Sequence, residues 1–116
     1  MATIKSYTDL SQSKKLAEIL PLESADMIWI LANPDLPMIK AIAYEDSEKS
    51  KYYEVLPAWS LVALLNALPN GIVMNKDSQN GRYHFSSTHV GTYVIADNPI
   101  DACVAVIEKL HELKVL

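Results

Sequence analysis

The best candidates for metal ligands, by residue type and spacing, are the two histidines His84 and His89. A zinc site takes three or four protein ligands, so a third ligand such as Asp77 or Asp97 would have to join them. The spacing does not fix that third ligand, and the single cysteine is distant in sequence. We therefore interpret both histidines as surface or hydrogen-bonding residues and predict that the chain binds no structural or catalytic metal.

Cys103 is the only candidate for a nucleophilic thiol. Such a thiol needs a base beside it and a lowered pKa. Cys103 falls on the apolar stripe of a predicted helix, and His111 follows it by eight residues, about two helical turns, which is too far for a hydrogen bond. His111 lies in the last turns, where the helix dipole favours a cation. We predict a buried, structural cysteine and no catalytic residue.

The remaining polar residues provide neither a catalytic pair nor a cofactor-binding loop. Adjacent carboxylates such as Glu45 and Asp46 lie in polar segments, whereas general acid catalysis needs a pKa raised by burial or by a close like charge. The three glycines, Gly71, Gly81 and Gly91, are ten residues apart, a spacing typical of turns rather than of a phosphate-binding loop. We predict no cofactor.

Three tyrosines, Tyr44, Tyr52 and Tyr53, flank the charged segment Glu45 to Lys51, and Trp59 follows them. Tyrosine and tryptophan are enriched at protein interfaces because they combine apolar area with a polar tip. In the alternative interpretation, which we favour, the same side chains pack the charged segment onto the domain and cover the apolar helix predicted to follow it. The tyrosines are the candidate interaction surface, and we predict that the charged segment lies outside the core.

Bulk composition narrows the class of protein. Half of the 116 residues are apolar, which suits one packed core, and the net charge of −4 disfavours nucleic-acid binding. A single cysteine allows no intramolecular disulfide, as expected in a reducing compartment. We find neither a signal-peptide pattern after Met1 nor about 20 consecutive apolar residues. We expect a soluble, cytoplasmic protein without a membrane span.

Capping signals predict the first and last helices. Thr8 or Asp9 can cap the first helix, which should end near Leu20 because Pro21 follows. The last helix has Asn98 at its cap and a proline at its first position. Its apolar residues recur at helical spacing: Ile100, Cys103, Val104, Ile107 and Leu110.

A third helix is predicted from Pro57 to Leu68, with the proline in its first turn. Nearly every position is apolar, which is typical of a helix buried on most faces. We therefore place this helix at the centre of the core and predict that Trp59, Leu64 and Leu65 are buried. Loss of either leucine should then destabilise the protein.

Short apolar runs predict about five strands. Met27 to Leu31 suits a strand buried on both faces, and Met38 to Tyr44 is a second candidate. Three further runs form a predicted meander with a turn at Asn80-Gly81: Ile72 to Asn75, Arg82 to Ser86 and Thr92 to Ala96. The pattern predicts a single α+β domain over residues 1–116, in which a mostly antiparallel sheet of about five strands packs on three helices in two layers.

Three segments, Tyr7 to Met27, Leu56 to Pro69 and Asp101 to Leu113, resemble a group of small gut-bacterial proteins. Some members lie near phage-derived or mobile genes. The resemblance implies a self-contained bacterial domain. Since the group has no assigned activity, it implies no site residue.

Three functions remain open from the sequence. The first is a non-catalytic accessory or protein-interaction domain, whose partner is another protein or a second copy of the chain. The alternatives are a small-ligand or metal-binding module on the polar face of the meander, and an enzyme subunit without a recognisable motif. A flat, exposed apolar patch would favour the first, whereas a deep pocket with converging polar groups would favour the others.

Overall fold

Three α-helices and six β-strands occupy the parts of the chain that the computed structural model describes, residues 5–33, 35–87 and 93–116. The helices are α1, Leu10–Leu16, α2, Leu61–Ala67, and α3, Pro99–Glu112. The strands are β1, Met27–Leu31, β2, Met38–Lys40, β3, Glu54–Ala58, β4, Ile72–Lys76, β5, Tyr83–Ser87, and β6, Tyr93–Ala96. Short 3-10 helices span Leu22–Ser24 and Tyr44–Asp46. The α+β class is confirmed.

The strands of the described residues form two antiparallel sheets of three, in the orders β2-β1-β3 and β4-β5-β6. The prediction of one sheet of about five strands is therefore corrected. The missed strand is β3, which pairs with β1 from Met27 opposite Ala58 to Leu31 opposite Glu54. The sequence analysis assigns Glu54 and Val55 to no element and places Pro57 and Ala58 in the first turn of a helix.

Pro57 lies in β3, opposite Ile28, and not in the first turn of a helix as predicted. A proline is tolerated here because β3 lies at the edge of the sheet that the described residues form. The helix begins after Ser60, whose side-chain oxygen accepts a hydrogen bond from the Ala63 N–H at 3.2 Å. Asp26 in turn accepts bonds from the Ser60 N–H and hydroxyl at 2.9 and 2.5 Å.

Helix α3 is the most buried helix, which corrects the prediction that the segment now assigned to α2 lies at the centre. Its buried residues are Ile100, Ala102, Cys103, Val104, Val106, Ile107 and Leu110. In α2, Leu64 is completely buried, but Val62 is 66% exposed and Leu65 is 38% exposed. The prediction for Leu64 and Trp59 is confirmed, and that for Leu65 is wrong. Helix α2 buries one face only, although its sequence is apolar on both.

The capping predictions are confirmed at both outer helices. The Asp9 carboxylate accepts from the Gln12 N–H at 2.8 Å, and the Gln12 side chain accepts from the Asp9 N–H at 3.1 Å. Helix α1 ends at Leu16, earlier than the predicted Leu20. Hydrogen-bonded turns follow it, in which the Glu18 N–H donates to the Lys15 carbonyl and the Ile19 N–H to the Leu16 carbonyl. Asn98 caps α3 by accepting from the Asp101 N–H at 2.8 Å.

The second sheet packs one face against α3 and leaves the other open. Phe85 is completely buried and joins the core, as does the partly buried Tyr83. The turn between β4 and β5 closes with a hydrogen bond from the Asp77 N–H to the Arg82 carbonyl at 2.8 Å. Gly81 adopts a φ of +70°, which glycine accepts without strain. Among the described ranges, no helix has the length and apolar character needed to cross a membrane.

Cys103 is completely buried, as predicted. Burial raises the pKa of its thiol to about 12, so the reactive thiolate is scarce at neutral pH. We expect Ellman's reagent to modify the native protein far more slowly than the same protein unfolded in urea. Modification of the native thiol as fast as of the unfolded one would contradict the packing of α3.

Candidate interaction surface and ligand cleft

Tyr44 anchors the charged segment Glu45 to Lys51 to the domain. This agrees, for Tyr44, with the alternative interpretation, in which the tyrosines pack that segment onto the domain. Tyr44 is half-buried and packs against the hydrophobic core. Its N–H donates to the Ala25 carbonyl at 3.1 Å. The Lys49 ammonium lies 3.7 Å from the centre of the Tyr44 ring and donates to the Tyr44 carbonyl at 2.7 Å. Tyr44 is therefore a structural residue with little surface left for a partner.

Tyr52 and Tyr53 remain available to a partner. Tyr52 is 85% exposed and Tyr53 is 38% exposed. The Lys51 ammonium lies 5.5 Å from the centre of the Tyr52 ring. No residue of the segment Glu45 to Lys51 is buried, which confirms that this segment lies outside the core.

The first sheet separates Tyr44 from the other two tyrosines. Tyr44 is bonded to Ala25, just before β1 begins, whereas Glu54, next to Tyr53, pairs with Leu31 at the end of β1. The four residue steps from one end of β1 to the other measure about 13 Å. The three predicted tyrosines therefore do not form one surface.

Two residues that sequence analysis missed, Leu36 and Met38, lie at the same end of the sheet as Tyr52 and Tyr53, which precede β3. Met38 pairs with Ile30, so the start of β2 lies beside the end of β1. Leu36 is 68% exposed and Met38 is 57% exposed. We call Leu36, Met38, Tyr52 and Tyr53 the open end of the first sheet.

A hollow of about 470 Å³ lies at this open end, between Ile30, Leu36 and Met38. Its remaining lining residues are Ala32, Asn33 and Pro37. Apolar residues therefore make up most of the lining of this shallow hollow. The sequence signal for this hollow is Leu36, which lies between Asp35 and Pro37 in a turn. An apolar side chain in such a turn is usually exposed to solvent.

A larger cleft, of about 590 Å³, lies where the starts of α2 and α3 face the second sheet. Its lining residues are Lys5, Ser6, Ser60, Leu61, Val62, Lys76, Tyr83, Asp97, Asn98 and Pro99. Its volume falls within the usual range of small-molecule sites, roughly 300–1,000 Å³. The residues come from five separate stretches of chain, so no local sequence motif marks this cleft.

A cluster of polar side chains holds the N-terminal segment against α3 beside the cleft. The Asp101 carboxylate accepts hydrogen bonds from Lys5 at 2.8 Å, Gln12 at 2.8 Å and Asn98 at 2.7 Å. Lys5 also donates to Asp9 at 3.0 Å. Partial burial alone would raise the pKa of Asp101, but these hydrogen bonds outweigh it and lower the pKa. Asp101 thus joins three side chains from two separate parts of the chain.

Replacing Asp101 with asparagine is expected to weaken the acid sensitivity of stability. A carboxyl whose pKa is lowered by folding stabilises the native state above its unfolded pKa, and this contribution is lost as the pH falls through the folded pKa. Wild-type stability should therefore decline from the ordinary aspartate value of 3.8 downward. Urea unfolding between about pH 5 and pH 2 measures the slope, which Asp101→Asn should flatten. Asp35→Asn, at an exposed position, is the control, and an equal flattening there would contradict the assignment.

His84 contacts Tyr93 and Asp77 on the open face of the second sheet. Its Nδ1 forms a hydrogen bond with the Tyr93 hydroxyl, and its Nε2 lies 3.7 Å from an Asp77 carboxylate oxygen. Backbone N–H groups of the turn lower the pKa of Asp77, aided by His84. His84 faces away from its strand neighbour Tyr83, which lines the cleft.

The second predicted histidine, His89, lies outside the described residues. Within the described part of the chain, no three histidine, cysteine or acidic side chains come together as metal ligands. Elemental analysis of untagged protein tests the prediction of no bound metal. Stoichiometric zinc or iron, lost on His84→Ala, would overturn it.

Comparison of the chain with protein-family models, with curated proteins and with solved structures gives no match. The resemblance to gut-bacterial proteins stays a prediction. Function must therefore be argued from the two surfaces themselves, the open end of the first sheet and the cleft.

Proposed function

We propose that this chain is a non-catalytic protein-interaction domain that binds its partner at the open end of the first sheet. The observation that carries the proposal is the grouping there of Leu36, Met38, Tyr52 and Tyr53, of which the first three are more than half exposed. Large apolar side chains gathered at one place on a surface are typical of docking sites. Tyrosine and methionine are both enriched in the centres of interfaces.

The edges of this sheet argue for docking through side chains rather than through an added strand. Strand β3 carries Pro57, which has no N–H to donate to a new neighbour. Strand β2 has only three residues and follows Pro37 directly. Short edges that contain or follow proline resist pairing with another chain. A folded or helical partner surface therefore fits the open end better than an extended peptide.

The charges around the open end indicate the chemistry of the partner. Asp35 lies beside Leu36 and Glu54 beside Tyr53, so two carboxylates border the open end, together with the Lys51 ammonium near the Tyr52 ring. Among the described residues, neither carboxylate has an ion-pair partner. A partner that presents apolar side chains flanked by lysine or arginine would complement both the apolar centre and this acidic rim.

The test is affinity purification from the native cell, followed by direct binding of the purified partner. The double variant Leu36→Ser/Met38→Ser is expected to lose the partner, since it removes apolar contact area from the open end. The matched control is Val73→Ser/Ile95→Ser, which removes apolar side chains that are 44% and 47% exposed on the second sheet. Wild type and control should bind equally.

The basic character of the partner has its own test. A synthetic amphipathic helix of leucine and lysine should shift the NMR signals of Leu36 and Tyr52, and its leucine–glutamate counterpart should not. Equal binding of both peptides, or partner loss in the control variant alone, would overturn the proposal. A wild-type dimer that the Leu36→Ser/Met38→Ser variant dissolves would identify a second copy as the occupant and contradict the basic partner.

We also propose a cytoplasmic location and a bacterial origin. The buried and unpaired Cys103 supports the first, because free thiols persist in reducing compartments. The resemblance of three segments of the sequence to gut-bacterial proteins supports the second.

A further inference from the structure

We propose that the cleft between α2, α3 and the second sheet binds a small organic carboxylate with an aromatic body. This site is separate from the open end of the first sheet and goes beyond the proposed protein interaction. The proposal rests on the volume of the cleft, on the apolar side chains that line it, and on one ammonium group that lacks an opposite charge.

Apolar side chains line the cleft on two sides. Leu61 and Val62 stand at the start of α2, and Pro99 stands at the start of α3. The ring of Tyr83 contributes the sheet side. Val62 is 66% exposed. An aromatic ring in the cleft would cover this side chain and meet Tyr83, since aromatic pairs favour stacked or edge-on contacts.

Two of the three charged groups that line the cleft are neutralised by neighbours. Lys5 lies 3.0 Å from Asp9 and 2.8 Å from Asp101. Burial opposes the charge of Lys5, but its bonds to these carboxylates outweigh burial and raise its pKa. Asp97 lies 3.3 Å from Arg82. Neither Lys5 nor Asp97 therefore needs a charged ligand.

Lys76 is the third charged group and is not neutralised. No carboxylate among the described residues lies within ion-pair distance of its ammonium, which is 5.5 Å from the centre of the Tyr83 ring. A cation beside an aromatic ring thus offers both contacts that an aromatic carboxylate requires.

Titration of the protein with sodium benzoate, followed by NMR, tests the site. We expect saturable shifts at Leu61, Val62 and Tyr83 at millimolar concentrations. Three related probes define the chemistry: benzamide has the ring without the charge, benzylamine has the opposite charge, and inorganic phosphate has charge without a ring. Each should bind at least tenfold more weakly than benzoate.

Two variants locate the contact. Lys76→Gln should weaken benzoate binding about tenfold, whereas Lys51→Gln, which removes a lysine far from the cleft, should leave it unchanged. Val62→Glu should abolish binding while preserving the fold, because this side chain is exposed. Absence of saturable shifts with benzoate, equal binding of benzylamine or phosphate, or equal effects of the two lysine variants would each overturn the proposal. Variants at the open end should not affect benzoate, so the two proposals fail separately.

Discussion

Leu64→Ala is expected to lower the free energy of unfolding by about 2–5 kcal/mol, the range for truncating a buried leucine. Leu64 is completely buried in the cluster that α2, α3 and Trp59 share. The truncation removes apolar area from the core and leaves a cavity that rigid neighbours fill only in part. Urea unfolding monitored by tryptophan fluorescence measures the loss as a shift of the midpoint.

The adjacent leucine is the matched control. Leu65 has the same chemistry and the same helix, but it is 38% exposed, so Leu65→Ala should cost less than about 1 kcal/mol, near the scale of a surface change. A large difference between the two variants supports the orientation of α2. Equal losses of several kcal/mol would contradict this orientation and support a helix buried on most faces.

Thr8→Val is expected to destabilise the protein by about 1–3 kcal/mol, although valine has nearly the same shape, because buried polar partners lose their hydrogen bonds. Thr8 is completely buried, and its hydroxyl forms a 2.8 Å hydrogen bond with Ser13. It also accepts from the Trp59 N–H at 3.1 Å. Valine would leave a buried N–H and a buried hydroxyl without partners.

Thr8→Ser is the control for this substitution, since it keeps the hydroxyl and removes one methyl group worth about 0.8 kcal/mol. A double-mutant cycle with Ser13→Ala measures the coupling of the two hydroxyls. A Thr8→Val variant as stable as wild type, or no coupling in the cycle, would contradict the buried hydrogen bonds.

Local sequence patterns were sufficient to predict several helices and strands of this protein. The Asn98 cap and the proline after it marked the start of α3, and the apolar stripe through Cys103 identified its buried face. The run from Met27 to Leu31 is β1, with unchanged bounds. Caps, turns and periodicity depend on contacts within a few residues, so the sequence alone contains the information to place them.

Contacts between distant segments decided the rest. Strand β3 forms because its residues pair with those of β1. Its position at the edge of the sheet makes Pro57 compatible with a strand. Helix α2 exposes Val62 because only one face of the helix contacts the core. Its sequence is apolar on both faces, so the pattern does not indicate which face is buried. Pairing along β1 placed Tyr44 at one end of the sheet and Tyr52 at the other. The open end and the cleft are each assembled from separate stretches of chain, so only tertiary packing could create them.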